Sequence, residues 1–115
     1  MENPVVWFEV MGQDADKLRR FYGELLGWRF QLDNPMNYGM VEAGEGGIQG
    51  GIGSVAEGPG WATFYTKVPD LEAAVRRAEK LGSSVRLPIT ELPDTRIAVV
   101  TDPEGNAVGL CADRA

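Results

Sequence analysis

The spacing of apolar and polar residues predicts a strand and then a helix at the start of the chain. Residues 5–10 are β-branched and aromatic, and their alternation places Trp7 and Glu9 on one face of the strand. Asp14 is a suitable N-cap, and apolar residues then recur at helical spacing, at Leu18, Phe21, Tyr22, Leu25 and Leu26. We expect this stripe to be core, and Gly27 to end the helix.

Three further strands complete this first copy of the pattern. Residues 28–32 and 38–41 read as strands on either side of a turn at Asp33-Asn34-Pro35. Residues 44–53 are rich in glycine, and we expect a strand over 46–52 that neighbouring backbone or a ligand approaches closely. This stretch lacks the Lys-Ser/Thr pair of a phosphate-binding loop.

The same order of elements returns in the second half of the chain. A strand at 61–68 leads through Asp70 to a helix with apolar residues Leu71, Ala74, Val75, Ala78 and Leu81, and strands follow at 85–87, 97–100 and 106–111. Because order, type and spacing all match, with the capping aspartates 56 residues apart, the chain is an internal duplication. We expect a functional site between the copies, with residues 56–60 as the linker.

Composition limits the partners of the protein. At 115 residues the chain is one domain, and its net charge of −6 opposes binding to nucleic acid or to anionic membranes. We expect Arg19, Arg20, Arg76, Arg77 and Lys80 to be solvated on the polar faces of the helices. The single cysteine and the absence of an N-terminal secretion signal favour the cytoplasm. With no histidine in the sequence, the commonest metal ligand and general base are missing.

Several short motifs together resemble the vicinal oxygen chelate superfamily, which includes glyoxalase I, bleomycin-resistance proteins and extradiol dioxygenases. They are Phe8-Glu9-Val10, Asp14, Phe21-Tyr22, Leu26-Gly27-Trp28 and Asp102-Pro103-Glu104-Gly105-Asn106. The resemblance implies an α+β fold for residues 1–115, with two βαβββ modules (about 1–55 and 60–115) forming an open barrel-like sheet around a cavity, helices outside. It also implies a homodimer.

The resemblance also implies where a metal would be held. The family's four ligand positions fall on Trp7, Gly51, Thr63 and Gly109, which offer no imidazole, thiolate or carboxylate. We therefore expect no metal cofactor. A displaced all-oxygen site for Mg²⁺ or Mn²⁺, from Glu9, Glu42 or Glu45 with waters, stays open as an alternative.

Strand alternation selects the candidate ligand-binding residues, which are Trp7, Glu9, Gln49, Gly51, Thr63, Tyr65, Gly109 and Cys111. Trp7 is either an aromatic wall for a ligand or a core plug, and Glu9 is either an acid/base group or a paired carboxylate. Cys111 lacks a base to activate it, which favours a small buried side chain. We expect metal-independent binding of a small apolar or aromatic molecule, helped by space above the two glycines. The alternatives are a glyoxalase-like lyase or isomerase, with Glu9 or an unusual metal, and a regulatory module with a vestigial cavity.

Overall fold

The computed structural model describes residues 2–34 and 36–114, and within them the chain forms two compact units. The first unit is residues 7–62, and the second is residues 1–6 together with 63–115. The bounds of these units differ slightly from those of the expected modules, which were about 1–55 and 60–115. The first residues group with the second unit, where the Lys67 amide donates to the Pro4 carbonyl at 2.9 Å.

Each unit has the βαβββ order, so the predicted α+β fold of two such modules is confirmed. The elements are β1 (Val5–Gly12), α1 (Ala15–Leu26), β2 (Phe30–Gln31), β3 (Gly39–Val41), β4 (Gly50–Ser54), β5 (Trp61–Lys67), α2 (Leu71–Lys80), β6 (Val85–Glu91), β7 (Thr95–Thr101) and β8 (Ala107–Asp113). Strand order is β2-β3-β4-β1 in the first unit and β5-β8-β7-β6 in the second. The strands are mixed in direction, since β1 runs parallel to β4 and β5 parallel to β8. Each of these sheets is open, ending at β2 or at β6.

Local sequence signals set the limits of both helices. Asp14 and Asp70 are the N-caps, and their carboxylates accept the amides of Lys17 and Ala73 at 3.0 Å. Gly27 ends α1 in the left-handed conformation, with φ of 71°. In the described part of the chain, neither helix has the length and apolarity needed to cross a membrane.

The apolar stripe predicted for α1 was wrong at three of its five residues, while Leu18 and Tyr22 are half-buried. Phe21, Leu25 and Leu26 are exposed by 55, 63 and 50%, whereas Ala15 and Arg19 are buried. The reason is a rotation of the helix that lays the methylene stem of Arg19 on Gly39, which has no side chain to obstruct it. The Arg19 guanidinium donates to Asp16 and to the Asn37 carbonyl. Arg19 was expected to be solvated, and it is buried instead. The other four residues of that prediction are exposed as expected: Arg20, Arg76, Arg77 and Lys80.

Helix α2 matches its predicted stripe over most of its length. Leu71 is buried in a core with Ala98 and Ala112, against which Val75 packs. Leu81 is the exception at 72% exposed, since it caps the helix C-terminus and lies beyond its last turn. The stripe therefore predicts the contact face of α2 but not its end.

The glycine-rich strand begins later than the sequence indicated. Residues 44–49 form an exposed turn and loop, in which the Gly47 amide donates to the Gly44 carbonyl, and only Gly50–Ser54 pairs with β1. Strand β2 is also shorter than the predicted 28–32. Of the predicted turn at 33–35, Pro35 lies outside the described residues.

Candidate functional site

In the first unit, one carboxylate and three aromatic side chains are joined by hydrogen bonds, and we name them the Glu9 network: Trp7, Glu9, Tyr38 and Trp61. Glu9 lies on β1 with only 7% of its surface exposed. The Tyr38 hydroxyl lies 3.1 Å from Glu9 Oε1, and Trp61 Nε1 donates to Glu9 Oε2 at 2.9 Å. Trp7 Nε1 donates to the Tyr38 hydroxyl oxygen at 3.0 Å. As predicted by strand alternation, Trp7 and Glu9 share a face.

The hydrogen bonds of this network have a fixed direction. An indole N–H only donates and a carboxylate only accepts, so the Tyr38 hydroxyl accepts from Trp7 and donates to Glu9. Burial raises the pKa of the Tyr38 phenol, and the nearby Glu9 charge raises it further. Tyr38 therefore remains a protonated donor at physiological pH.

The Tyr38 ring lies on Gly51, one of the positions where metal-binding relatives are expected to carry a ligand. A Cβ at Gly51 would come within 1.9 Å of this ring. The loop before β3 holds the tyrosine through Asn34, whose Oδ1 accepts the Tyr38 amide at 2.9 Å and whose Nδ2 donates to the Tyr38 carbonyl at 2.6 Å. The aromatic ring thus fills space that the sequence suggested was open.

Trp61 reaches Glu9 because the chain before it packs directly on β1. A Cβ at Gly60 would lie 1.8 Å from the Met11 carbonyl oxygen, so only glycine permits this approach. The alternation that selected Thr63 and Tyr65 also selects Trp61, which was not among the predicted site residues. Tyr38 had no such local signal, because it precedes its strand and lies 29 residues from Glu9.

The second unit repeats the arrangement of a tyrosine over a glycine. Tyr65 on β5 is 3% exposed, and its ring would lie 2.5 Å from a Cβ at Gly109, its partner on β8. The expectation of open space above Gly51 and Gly109 was therefore wrong in both units. The Thr63 hydroxyl donates to the Ala107 carbonyl at 2.6 Å, which engages its only hydrogen.

The remaining candidate residues have different surroundings. Gln49 lies in the exposed loop before β4, where its carbonyl accepts the Phe8 amide at 3.1 Å. Cys111 on β8 is buried as expected, and burial raises the pKa of its thiol. Of the eight candidate ligand-binding residues, the structure brings Trp7, Glu9 and Gly51 together around Tyr38, and Tyr65 against Gly109.

The four positions implied by the family do not fit a metal ion. The polar atoms of Trp7 and Thr63 are already engaged as donors, and the two glycines lie under tyrosine rings. Over residues 2–34 and 36–114, His, Cys, Asp and Glu side chains form no group of three or more suited to a metal. Glu9, Glu42 and Glu45 form no such group, and the Glu42 carboxylate accepts a hydrogen bond from the Gln31 side chain.

Comparison with known proteins identifies the family. The glyoxalase-like domain family matches residues 7–111. The chain is 31% identical to "Putative glyoxylase CFP32" of Mycobacterium bovis and of Mycobacterium tuberculosis, over 90% of this chain and 43% of those proteins. It thus spans less than half the length of these curated relatives.

Solved structures show the same fold at low sequence identity. A glyoxalase/bleomycin resistance protein/dioxygenase superfamily member from Vibrio splendidus 12B01 has a TM-score of 0.64 at 20% identity, covering 96% of this chain and 98% of its own. Methylmalonyl-CoA epimerase from Mycobacterium tuberculosis has a TM-score of 0.63 at 14% identity, covering 96 and 88%. The chain therefore belongs to the glyoxalase-like domain family of the vicinal oxygen chelate superfamily, as its motifs indicated.

Proposed function

We propose that this domain binds a small, partly apolar or aromatic molecule without a metal ion, and that the Glu9 network is its binding site. The observation that carries the proposal is that hydrogen-bonded aromatic side chains lie where the family resemblance implies metal ligands. Trp7 occupies one of the family's ligand positions, and the Tyr38 ring covers a second one, Gly51. Half-buried rings of Trp7, Tyr38 and Trp61 offer apolar surface beside a polar centre.

Metal independence is tested on the purified protein. We expect elemental analysis to find no stoichiometric divalent ion, and a chelator or added Zn²⁺, Mn²⁺ or Ni²⁺ to leave the melting temperature unchanged. A stoichiometric metal whose removal destabilises the fold would contradict the proposal, because binding to the native state stabilises it by mass action.

Ligand binding is tested by a thermal-shift screen of small aromatic molecules, thiol conjugates and natural-product antibiotics. At a hundredfold excess over Kd, a ligand stabilises the protein by about 2.7 kcal/mol. We expect Trp7→Phe to reduce the shift and Trp28→Phe to preserve it, because Trp28 stacks on Tyr22, outside the Glu9 network. A vestigial site predicts no stabilisation by any compound.

A glyoxalase-like lyase or isomerase activity is the second candidate, supported by the 31% identity to the relative named "Putative glyoxylase CFP32". In this case the Glu9 carboxylate would be the acid/base group, because it is the ionisable side chain at the centre of the network. The test is turnover of thiol conjugates by the native protein and by Glu9→Gln. Turnover that survives this substitution would exclude Glu9 as the acid/base group.

We also propose that the protein acts as a cytoplasmic homodimer with no nucleic-acid or membrane partner. The net charge of −6 supports the absence of both polyanionic partners, and open sheet edges favour assembly. Light scattering after size exclusion measures the assembly directly. A monomer at micromolar concentration would contradict the dimer.

A further inference from the structure

We infer that the outward face of helix α1 is the contact surface of a homodimer, in which α1 packs antiparallel against α1 of a second copy. This inference rests on the proposed dimer and adds the surface and the register through which it forms. We name this surface the α1 face, and its residues are Lys17, Phe21, Glu24 and Leu25. They follow one another at i, i+4, i+7 and i+8, so they lie along one side of the helix.

The centre of the α1 face is apolar and open to solvent. Phe21 is 55% exposed and Leu25 is 63% exposed, although both belong to the apolar stripe of an amphipathic helix. The Phe21 ring contacts Tyr22 of the same helix edge to face, with ring centroids 5.1 Å apart, and more than half of its surface still remains exposed. Large apolar side chains grouped on a surface are typical of protein contact sites, because a partner removes them from water.

Two opposite charges lie beside this apolar centre. Lys17 and Glu24 are exposed, and within residues 2–34 and 36–114 neither side chain forms an ion pair. Seven residues separate them, which is about 10 Å along a helix, so they do not reach each other. Both charges are therefore available to a partner that covers the face.

A two-fold axis matches these charges to each other. In an isologous dimer the same surface is used on both copies, and every contact occurs twice. An axis that crosses α1 between Arg20 and Phe21 sets Lys17 at the height of Glu24 of the second copy, and Glu24 at the height of its Lys17. Phe21 then lies close to the axis, against Phe21 of the second copy, and the methylene stem of Lys17 covers Leu25.

The charge pattern also determines the direction of the helices and the occupant of the face. A parallel arrangement about a two-fold axis would set Lys17 against Lys17 and Glu24 against Glu24, and both contacts would be repulsive. Only the antiparallel arrangement gives two attractive pairs around one apolar centre. Because the face is complementary to itself, a second copy of this chain is the partner that it fits.

Charge reversal tests this register, with light scattering after size exclusion and sedimentation equilibrium as the measurements. Lys17→Glu makes both cross-pairs negative and Glu24→Lys makes both positive, so we expect each variant alone to weaken the dimer by at least about tenfold. The double variant restores opposite charges, and so does an equimolar mixture of the two single variants. We expect both to dimerise about as tightly as the native protein, and high salt to reduce all these differences.

Leu25→Ala tests the apolar centre, and Leu81→Ala is its matched control. Leu81 is also an exposed leucine, at 72%, but it belongs to the second unit and lies outside the α1 face. We expect Leu25→Ala to weaken the dimer and Leu81→Ala to leave it unchanged. Lys80→Glu provides the same control for charge, since this lysine is exposed on α2. Far-UV circular dichroism checks that each variant is folded.

The outcomes separate this inference from the proposed dimer. A native dimer that neither charge variant weakens would overturn the inference and leave a dimer through another surface standing. A mixture of the single variants that dimerises no better than either alone would overturn it too, because only contacts between Lys17 and Glu24 across copies predict the rescue. A native protein that is monomeric at micromolar concentration contradicts both proposals. If a charge variant does not fold, equal dimerisation of Leu25→Ala and Leu81→Ala overturns the inference instead.

Discussion

Replacing Gly51 by alanine tests whether the Tyr38 ring is a fixed part of the site. The added Cβ would lie 1.9 Å from Tyr38 Cε2 and 2.4 Å from its hydroxyl oxygen, well inside van der Waals contact. Overpacking costs about 1–3 kcal/mol, and a displaced hydroxyl also gives up a bond to a charged group worth about 1.5–3 kcal/mol. We expect the free energy of unfolding to fall by about 3–5 kcal/mol, which is a large part of a typical domain's stability.

Urea unfolding measures this loss as a lower midpoint at an unchanged m value. Gly44→Ala is the matched control, because its Cβ would meet no atom within 4 Å and its φ is not in the left-handed region. We expect that variant to be neutral or stabilised by up to about 1 kcal/mol. In a Tyr38→Ala background, Gly51→Ala should cost little, because the clash is gone. Two results would refute the reasoning. One is an equal loss in the free energy of unfolding for Gly51→Ala and Gly44→Ala, and the other is an undiminished loss for Gly51→Ala in the Tyr38→Ala protein.

Three further predictions concern contacts outside the Gly51 clash. Asn34→Ala should lower the free energy of unfolding by about 1–3 kcal/mol, since it removes the side chain that bonds the Tyr38 amide and carbonyl. Hydrogen bonding from Arg96 lowers the pKa of Glu72 from 4.5 to about 2. The native protein should therefore melt at a higher temperature than Glu72→Gln above pH 4.5, and this difference should vanish as the pH falls towards 2. Cys111 should react slowly with iodoacetamide in the native protein and rapidly in urea, because burial raises the pKa of its thiol.

Each of these has its own control. Asn34→Asp keeps the acceptor for the Tyr38 amide but sets a carboxylate oxygen against the Tyr38 carbonyl oxygen, so it should not restore the native stability. The Glu72 difference should shrink in high salt at pH 7, since this ion pair is exposed. Alkylation of Cys111 at equal rates in the native and unfolded protein would contradict its burial.

Strand alternation predicted correctly that Trp7 and Glu9 share a face, yet it gave no partner for either. Their partners are Tyr38 and Trp61, and the bonds span 29, 31 and 52 residues of sequence. Periodicity within one strand determines on which side a side chain lies. It carries no information about which distant loop reaches that side.

The sequence pattern of helix α1 likewise predicted its ends but not the face that packs on the sheet. Its cap and end follow from Asp14 and Gly27, whose conformations are local. Its contact face does not, since Phe21 and Leu25 are exposed while Arg19 is buried on Gly39. Rotation of an amphipathic helix is decided by the shape of the sheet beneath it, and a glycine there made room for a long side chain.

The sequence by itself determined the duplication, the βαβββ order, both helix N-caps and, at the four positions implied by the family resemblance, residue types that are not metal ligands. These features depend on residue type and short-range spacing, which a single chain displays directly. Only the tertiary structure decided that tyrosine rings cover Gly51 and Gly109, and that three donors are committed within the Glu9 network. Those features depend on packing between segments far apart in sequence, where shape and hydrogen-bond geometry act together.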